Sequence, residues 1–303
     1  MAVARTGPGY LVGLIGAGIG ASLSPQLHER EADALGVRYL YRLLDLEVLG
    51  VPPRRVGDVL DAARLAGYDG LNLTHPVKQL VLDHLDELTP EAAAIGAVNT
   101  VVFTGGRSVG HNTDLTGFSR GLRTGLPDVA LDRVVLLGAG GAGAAVGHAL
   151  LSLGAKTLEV FDLEPARADG LAASLRERFG PDRVSPGRLG GGSLTAALEG
   201  ADGLVHATPT GMAGRPGVPL PEELLRAEHW VADIVYRPLE TDLLRTARAR
   251  GCRVLDGGRM AVFQAAETFR IITGREPDPD RMLRHFADLA PNGDAEVRDR
   301  ANR

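Results

Sequence analysis

Two stretches carry residue types that could do chemistry at fixed spacing. The first is Gly70-Leu-Asn-Leu-Thr-His-Pro-Val-Lys78. Leu71 and Leu73 face one way and Asn72 and Thr74 the other, the alternation of a short buried strand. Pro76 stops a strand and suits the first turn of a helix, so a helix to about Leu85 is expected, with Lys78 in its first turn. A helix start favours anions, and a lysine there gains nothing from the dipole. Asn72, Thr74 and Lys78 would then form a polar edge at the carboxyl end of a strand, where open α/β folds place ligands. An ordinary surface lysine after a strand end fits these residues equally well.

The second stretch is more specific. Arg133-Val-Val-Leu-Leu137 reads as a continuous apolar strand buried on both faces. Gly138-Ala139-Gly140-Gly141-Ala142-Gly143 follows at once, then a helix over Ala144–Leu153. In that context GxGxxG signals a dinucleotide. Gly138 allows the tight turn, Gly140 lets backbone approach a pyrophosphate, and Gly143 lets the helix pack against the strand. The helix start then offers free N–H groups to phosphates. Asp162 ends the next strand, where ribose recognition is expected. Its carboxylate accepts from ribose hydroxyls and repels a 2′-phosphate, which points to NAD over NADP. Leu163 follows it. Arg167 can receive a 2′-phosphate, or simply face solvent on the first helical turn.

Bulk properties narrow the class. At 303 residues the chain is long enough for two domains, and 44% hydrophobic with 23% charged residues is ordinary for a soluble protein. A net charge of −5 without a basic stripe argues against nucleic acid. The single cysteine, Cys252, excludes a disulfide within the chain and suggests a cytoplasmic setting. It reads as a small core residue. The apolar run Leu11–Ile19 is too short and glycine-rich for a signal peptide, and nothing approaches a membrane span. The eight histidines are scattered, so no metal site is expected.

The positioning elements alternate. Strands are expected at Tyr10–Ile15, Val37–Leu46, 70–74, Ala97–Phe103, Leu158–Phe161, Gly203–Ala207, Trp230–Val235 and Arg253–Asp256. Helices are expected at Gln26–Leu35 with Ser24 as N-cap, at Arg54–Ala66, Thr89–Ile95, Pro165–Phe179, Leu239–Arg250, Met260–Ile272 and Arg281–Leu289. Gly105-Gly106 signals a hairpin. This βαβα order predicts an α/β class with largely parallel sheets.

Seven pieces in order carry a resemblance: Ser22-Leu-Ser-Pro25, Asn72-Leu-Thr-His-Pro-Val-Lys78, Ala97-Val-Asn-Thr100, Asn112-Thr-Asp114, the glycine loop, Ala207-Thr-Pro-Thr-Gly-Met212, and Gly257-Gly-Arg-Met-Ala-Val-Phe-Gln264. Together they resemble the shikimate dehydrogenase family, over about residues 10–290. Within it the chain looks most like the NAD-dependent quinate/shikimate dehydrogenases of actinobacteria. The biosynthetic members usually place Asn-Arg-Thr, which grips NADP, where this chain has Asp162-Leu-Glu. One departure is Ala21, where many members carry histidine.

The resemblance implies a two-domain α/β fold. A substrate domain would comprise 1–117 and 254–290 and a Rossmann domain 118–253, with the active cleft where the domains face each other; the charged, aperiodic stretch 291–303 itself reads as a disordered tail. It implies oxidation of a ring hydroxyl of quinate or shikimate, with Lys78 and Asp114 as the acid/base pair. The residues alone do not choose which of the two holds the proton. Ser22, Ser24 and Tyr236 would bind the substrate carboxylate. Thr74, Asn99 and Gln264 would bind ring hydroxyls. Thr208, Val235, Gly257 and Met260 would join the cofactor site, while His75 and His111 flank it. The partner is then a small molecule, and a homodimer is left open. Alternatives are a biosynthetic NADP-dependent shikimate dehydrogenase, an aminoshikimate-type dehydrogenase, and a non-catalytic nucleotide sensor, for which Lys78 and Asp114 would have no use.

Overall fold

A computed structural model of the chain describes residues 9–301, with side chains over 9–290. The chain divides into two units, one of residues up to Thr113 together with those from Gln264 on, the other Asp114–Phe263.

In chain order the first unit contains β1 (Gly9–Gly16), α1 (Ser24–Ala34), β2 (Arg38–Asp45), α2 (Leu46–Leu49), α3 (Val56–Leu65), β3 (Gly70–Leu73), β4 (Glu87–Leu88), α4 (Pro90–Ile95), β5 (Thr100–Thr104) and β6 (Arg107–His111). Its six-stranded sheet has the order β2-β1-β3-β5-β6-β4. β1 pairs in parallel with β2 and β3, while β5 is antiparallel to β3 and β6. The hairpin at Gly105-Gly106 turns β6 back antiparallel to β5. Ile15, Leu71, Leu73, Val77, Val81, Val98 and Val101 form the core on one side with Val56, Leu60 and Ala63 of α3.

The second unit contains α5 (Asp114–Gly125), β7 (Arg133–Leu137), α6 (Gly141–Ser152), β8 (Thr157–Phe161), α7 (Pro165–Phe179), β9 (Val184–Pro186), α8 (Ser193–Glu199), β10 (Gly203–His206), β11 (Trp230–Asp233), α9 (Asp242–Ala249) and β12 (Arg253–Leu255). Its strand order is β12-β11-β10-β7-β8-β9, all parallel. The order reverses between β7 and β10, and such a point is where doubly wound sheets open a crevice for ligands. α10 (Gly258–Thr273) begins in this unit and continues into the first, which α11 (Pro279–Ala301) completes.

Several expectations need correcting. No α-helix follows Pro76. The segment makes successive turns and a 3₁₀ turn at Leu82–His84. The reason lies in the backbone: the Lys78 carbonyl accepts from Val98 N–H at 2.8 Å instead of continuing a helical ladder. Ser24 is the first residue of α1 and not its N-cap; Leu23 holds that position without a side-chain bond. Strand β12 pairs with β11, so residues 254 and 255 belong to the second sheet rather than the substrate domain. The boundary expected at 117 would cut α5, which lies wholly in the second unit. The tail expected over 291–303 falls on the last turns of α11 up to Ala301, and residues 302–303 lie outside the described residues.

Candidate active site

The polar strand ends of the first unit meet in one buried network. Asn72 on β3 and Asn99 just before β5 are 6% and 2% exposed. Tyr41 of β2 donates its hydroxyl to Asn72 Oδ1 at 2.8 Å. Asn72 Nδ2 reaches the Asn99 carbonyl at 3.2 Å, Thr100 Oγ1 at 3.1 Å and Thr268 Oγ1 at 3.3 Å. Asn99 Nδ2 donates to Thr113 Oγ1 at 2.9 Å and, at a long 3.5 Å, to Gln264 Oε1. Asn99 Oδ1 accepts from Thr113 N–H at 2.8 Å and Thr100 Oγ1 at 3.2 Å. Gln264 and Thr268 are one turn apart on α10 and therefore share a face. Buried amides satisfied this fully hold a single geometry.

The chain is held at Lys78 and directly before Asp114. Val98 N–H holds the Lys78 carbonyl, and the neighbouring Asn99 side chain holds Thr113, whose successor Asp114 opens α5. Asp114 is 4% exposed and Lys78 half-buried. His111, whose carbonyl accepts from Asn99 N–H, is half-buried, and desolvation holds its imidazole below the ordinary value. His75 is exposed.

Ser22, on the turn between β1 and α1, and Ser24, the first residue of α1, are both half-buried. Ser22 Oγ accepts from Ser24 N–H at 3.2 Å, so the two hydroxyl-bearing residues are locked together. What holds the turn is Asp45 at the end of β2, which sequence reasoning missed. Its carboxylate accepts from Gly18 N–H at 3.0 Å and Ile19 N–H at 2.8 Å, and it caps α2 through Glu47 N–H at 3.1 Å. An aspartate directly before a helical run is a cap signal and could have been read. Thr74 follows β3, half-buried, with its N–H bonded to the Ile15 carbonyl at 2.9 Å.

The second unit repeats the device. Asp162 follows β8, accepts from Ala139 N–H in the glycine loop at 2.8 Å, and accepts from Glu164 N–H at 2.9 Å. The loop fits a dinucleotide. Gly138 has φ +107°, which favours glycine. A Cβ on Gly143 would lie 2.0 Å from the Gly138 carbonyl oxygen, so only glycine permits this approach of helix to strand. Around Gly140 there is open space, and α6 begins there without a side-chain cap. The first N–H groups of α6, at Gly141, Ala142 and Gly143, would hold phosphates. Leu163 is 86% exposed beside Asp162. Arg167 pairs with Glu164 at 3.0 Å on the surface. Thr208 follows β10, with its methyl 3.0 Å from where a Gly138 Cβ would stand. Val235 and Met260 are buried, Tyr236 is half-buried, and Gly257 lies under the Ile234 and Val235 carbonyls, which a Cβ would meet at 2.3 and 2.6 Å.

Among the described residues no group of three or more His, Cys, Asp or Glu could hold a metal ion, and no helix is long and apolar enough to cross a membrane. A 480 Å³ depression lined by Tyr10, Arg38 and Asp69 lies at the amino ends of β1 and β2, away from the polar strand ends.

A parallel sheet with a glycine-opened helix at its switch point, in one chain with a unit of gathered polar strand ends, defines the two-domain pyridine-nucleotide dehydrogenases. Residues 14–101 match the shikimate dehydrogenase substrate binding domain. The chain is 62% identical to the shikimate dehydrogenase (NADP(+)) of Streptomyces avermitilis over 95% of its own length and 98% of that protein's. It is 48% identical to the quinate/shikimate dehydrogenase (NAD(+)) of Corynebacterium efficiens, over 92% and 98% of the two chains. The quinate dehydrogenase of Corynebacterium glutamicum in complex with NAD superposes with a TM-score of 0.85 at 45% identity, over 92% and 99% of the chains. The chain belongs to the shikimate dehydrogenase family and is an oxidoreductase acting on a CH–OH group.

Proposed function

We propose that the protein oxidises a ring hydroxyl of quinate or shikimate to the ketone, with NAD as the preferred cofactor. The reaction removes a hydride from the carbinol carbon and a proton from its hydroxyl. The nicotinamide supplies the hydride acceptor. The proton falls to the chain, and a general base is required. Lys78 takes it, and Asp114 orients Lys78 and the substrate hydroxyl. The observation that supports this assignment is the shared anchor: adjacent residues Val98 and Asn99 hold the chain at Lys78 and at Thr113, directly before Asp114.

Ser22, Ser24 and Tyr236 bind the substrate carboxylate by hydroxyl donation. Thr74, Asn99 and Gln264 bind the ring hydroxyls. Asn99 is fully engaged, and its 3.5 Å contact with Gln264 is the one a ring hydroxyl would replace at least cost. Gly138–Gly143, Thr208, Val235, Gly257 and Met260 hold the cofactor. Asp162 and Leu163 receive the adenosine ribose, with Arg167 beside them.

A second reading, NADP-dependent reduction of 3-dehydroshikimate, is favoured by the name of the 62% identical Streptomyces relative. An initial-rate matrix of quinate and shikimate against NAD and NADP separates the two. The first reading predicts at least a tenfold preference for NAD; a clear NADP preference overturns it in favour of the second.

A further inference from the structure

The interior of the second unit holds an ionisable line that the proposed chemistry does not use. His206 closes β10 and is fully buried, and Asp233 closes the neighbouring β11 at 2% exposure. His206 Nδ1 lies 3.0 Å from Asp233 Oδ1, and His206 Nε2 lies 2.5 Å from Thr208 Oγ1. Asp233 also accepts from Val235 N–H at 3.0 Å and from Thr241 Oγ1 at 2.8 Å, and Thr241 caps α9 through Leu244 N–H at 3.2 Å. Every partner of the carboxylate is a donor, so His206 carries its proton on Nδ1. In the neutral ring Nε2 is then an acceptor, and the Thr208 hydroxyl must donate to it. Thr210 N–H donates to the Thr208 oxygen at 3.2 Å. The hydroxyl is left with accepting capacity and no free proton.

Its location says what that capacity meets. Thr208 abuts Gly138 on the β10 side of the glycine loop, and Asp162 holds the same loop from the β8 side. A dinucleotide at this switch point with its adenosine ribose toward β8 extends its other half over β10.

We propose that His206 and Asp233 are positioning residues that lock the Thr208 hydroxyl as an acceptor for an O–H or N–H donor in the nicotinamide half of the cofactor. This rests on the dinucleotide reading above. The lock selects at no later cost: a hydroxyl already oriented loses no rotational freedom on binding. Buried histidine between strands also has a plain structural use, satisfying Asp233. The two uses differ in what they predict for a ligand that lacks the nicotinamide half.

The test measures affinity of the full chain for NADH and NADPH by fluorescence and for ADP by displacement. The variants are T208V, T208S, H206F and the double H206F/T208V. The proposal expects T208V and H206F each to weaken dinucleotide binding about tenfold, the double variant to add nothing further, T208S to bind like the wild type, and ADP affinity to stay within twofold. Equal losses for ADP and dinucleotide, additive losses, or no loss in T208V overturn it. Should H206F fail to fold, H206N, whose amide can still donate to Asp233 but which has no acceptor at the Nε2 position, replaces it with the same expected loss. A wild-type chain that binds neither dinucleotide overturns the dinucleotide reading itself.

Discussion

Asn99 and Thr113 grip each other twice: the Asn99 amide donates to the Thr113 hydroxyl at 2.9 Å, and its carbonyl accepts the Thr113 backbone N–H at 2.8 Å. Both are buried, so the geometry is held in a medium where a lost bond is not replaced by water. T113V keeps the shape and removes the hydroxyl. It should cost about 1–3 kcal/mol in denaturant unfolding. Turnover should fall about tenfold or more, since the next residue is Asp114 and a small misplacement of a reacting group is expensive. Unchanged stability and unchanged turnover together would contradict the role given to this pair.

His28 predicts a pH dependence. It is 1% exposed, stacks on Tyr39 with ring centroids 5.9 Å apart, and lies 3.2 Å from the Tyr39 hydroxyl through Nδ1. Burial lowers its pKa from 6.5 to about 3. The folded state therefore disfavours the charged ring while the unfolded chain protonates freely. Its contribution to stability is fully present above pH 6.5 and is lost as pH falls toward 3, with a limiting slope of about 1.4 kcal/mol per pH unit. Urea unfolding between pH 5 and 6.5 should show a shallower slope in H28F than in the wild type. Parallel curves would show that His28 is not held neutral.

Glu31 and Arg281 tie α1 to α11. The Glu31 side chain is fully buried while that of Arg281 is 26% exposed, and they meet at 2.6 and 2.9 Å in a two-bond fork. R281M leaves a buried carboxylate with only the Asp278 N–H at 2.8 Å. It should destabilise by about 3–5 kcal/mol. E31L/R281M should recover most of that loss, because the uncompensated charge is gone. Equal stability of the single and double variants would mean that packing, not charge, explains the loss.

The sequence disclosed those features that depend on local pattern. The glycine loop sits where an apolar strand meets a helix, and Gly138 and Gly143 occupy backbone that no other residue could share. The alternation in Gly70–Leu73 correctly marked a strand. What stayed hidden depends on partners far along the chain. Lys78 escaped a helix because Val98 claims its carbonyl, and nothing near Pro76 announces that. Nothing next to Thr113 or Thr268 in the sequence announces that they join Asn72 and Asn99 across long separations. His206 and Asp233 each end an apolar strand; only the parallel register of β10 and β11 makes them a pair.

Asp162 holds the glycine loop, and in the proposed function it also selects the cofactor; one substitution separates the two. D162N keeps a carbonyl for the Ala139 N–H but loses the charge that repels a 2′-phosphate. The ratio of NAD to NADP efficiency should fall at least tenfold. Loss of both activities in equal measure would assign Asp162 to holding the loop alone.

The most direct test is hydride transfer in K78A, followed as single-turnover NADH formation from shikimate or quinate, beside the affinity of the same variant for NADH. A Lys78 general base predicts a rate lower by about 10² or more, the scale of general-base catalysis, with cofactor affinity unchanged. A variant that transfers hydride at nearly the wild-type rate would contradict it.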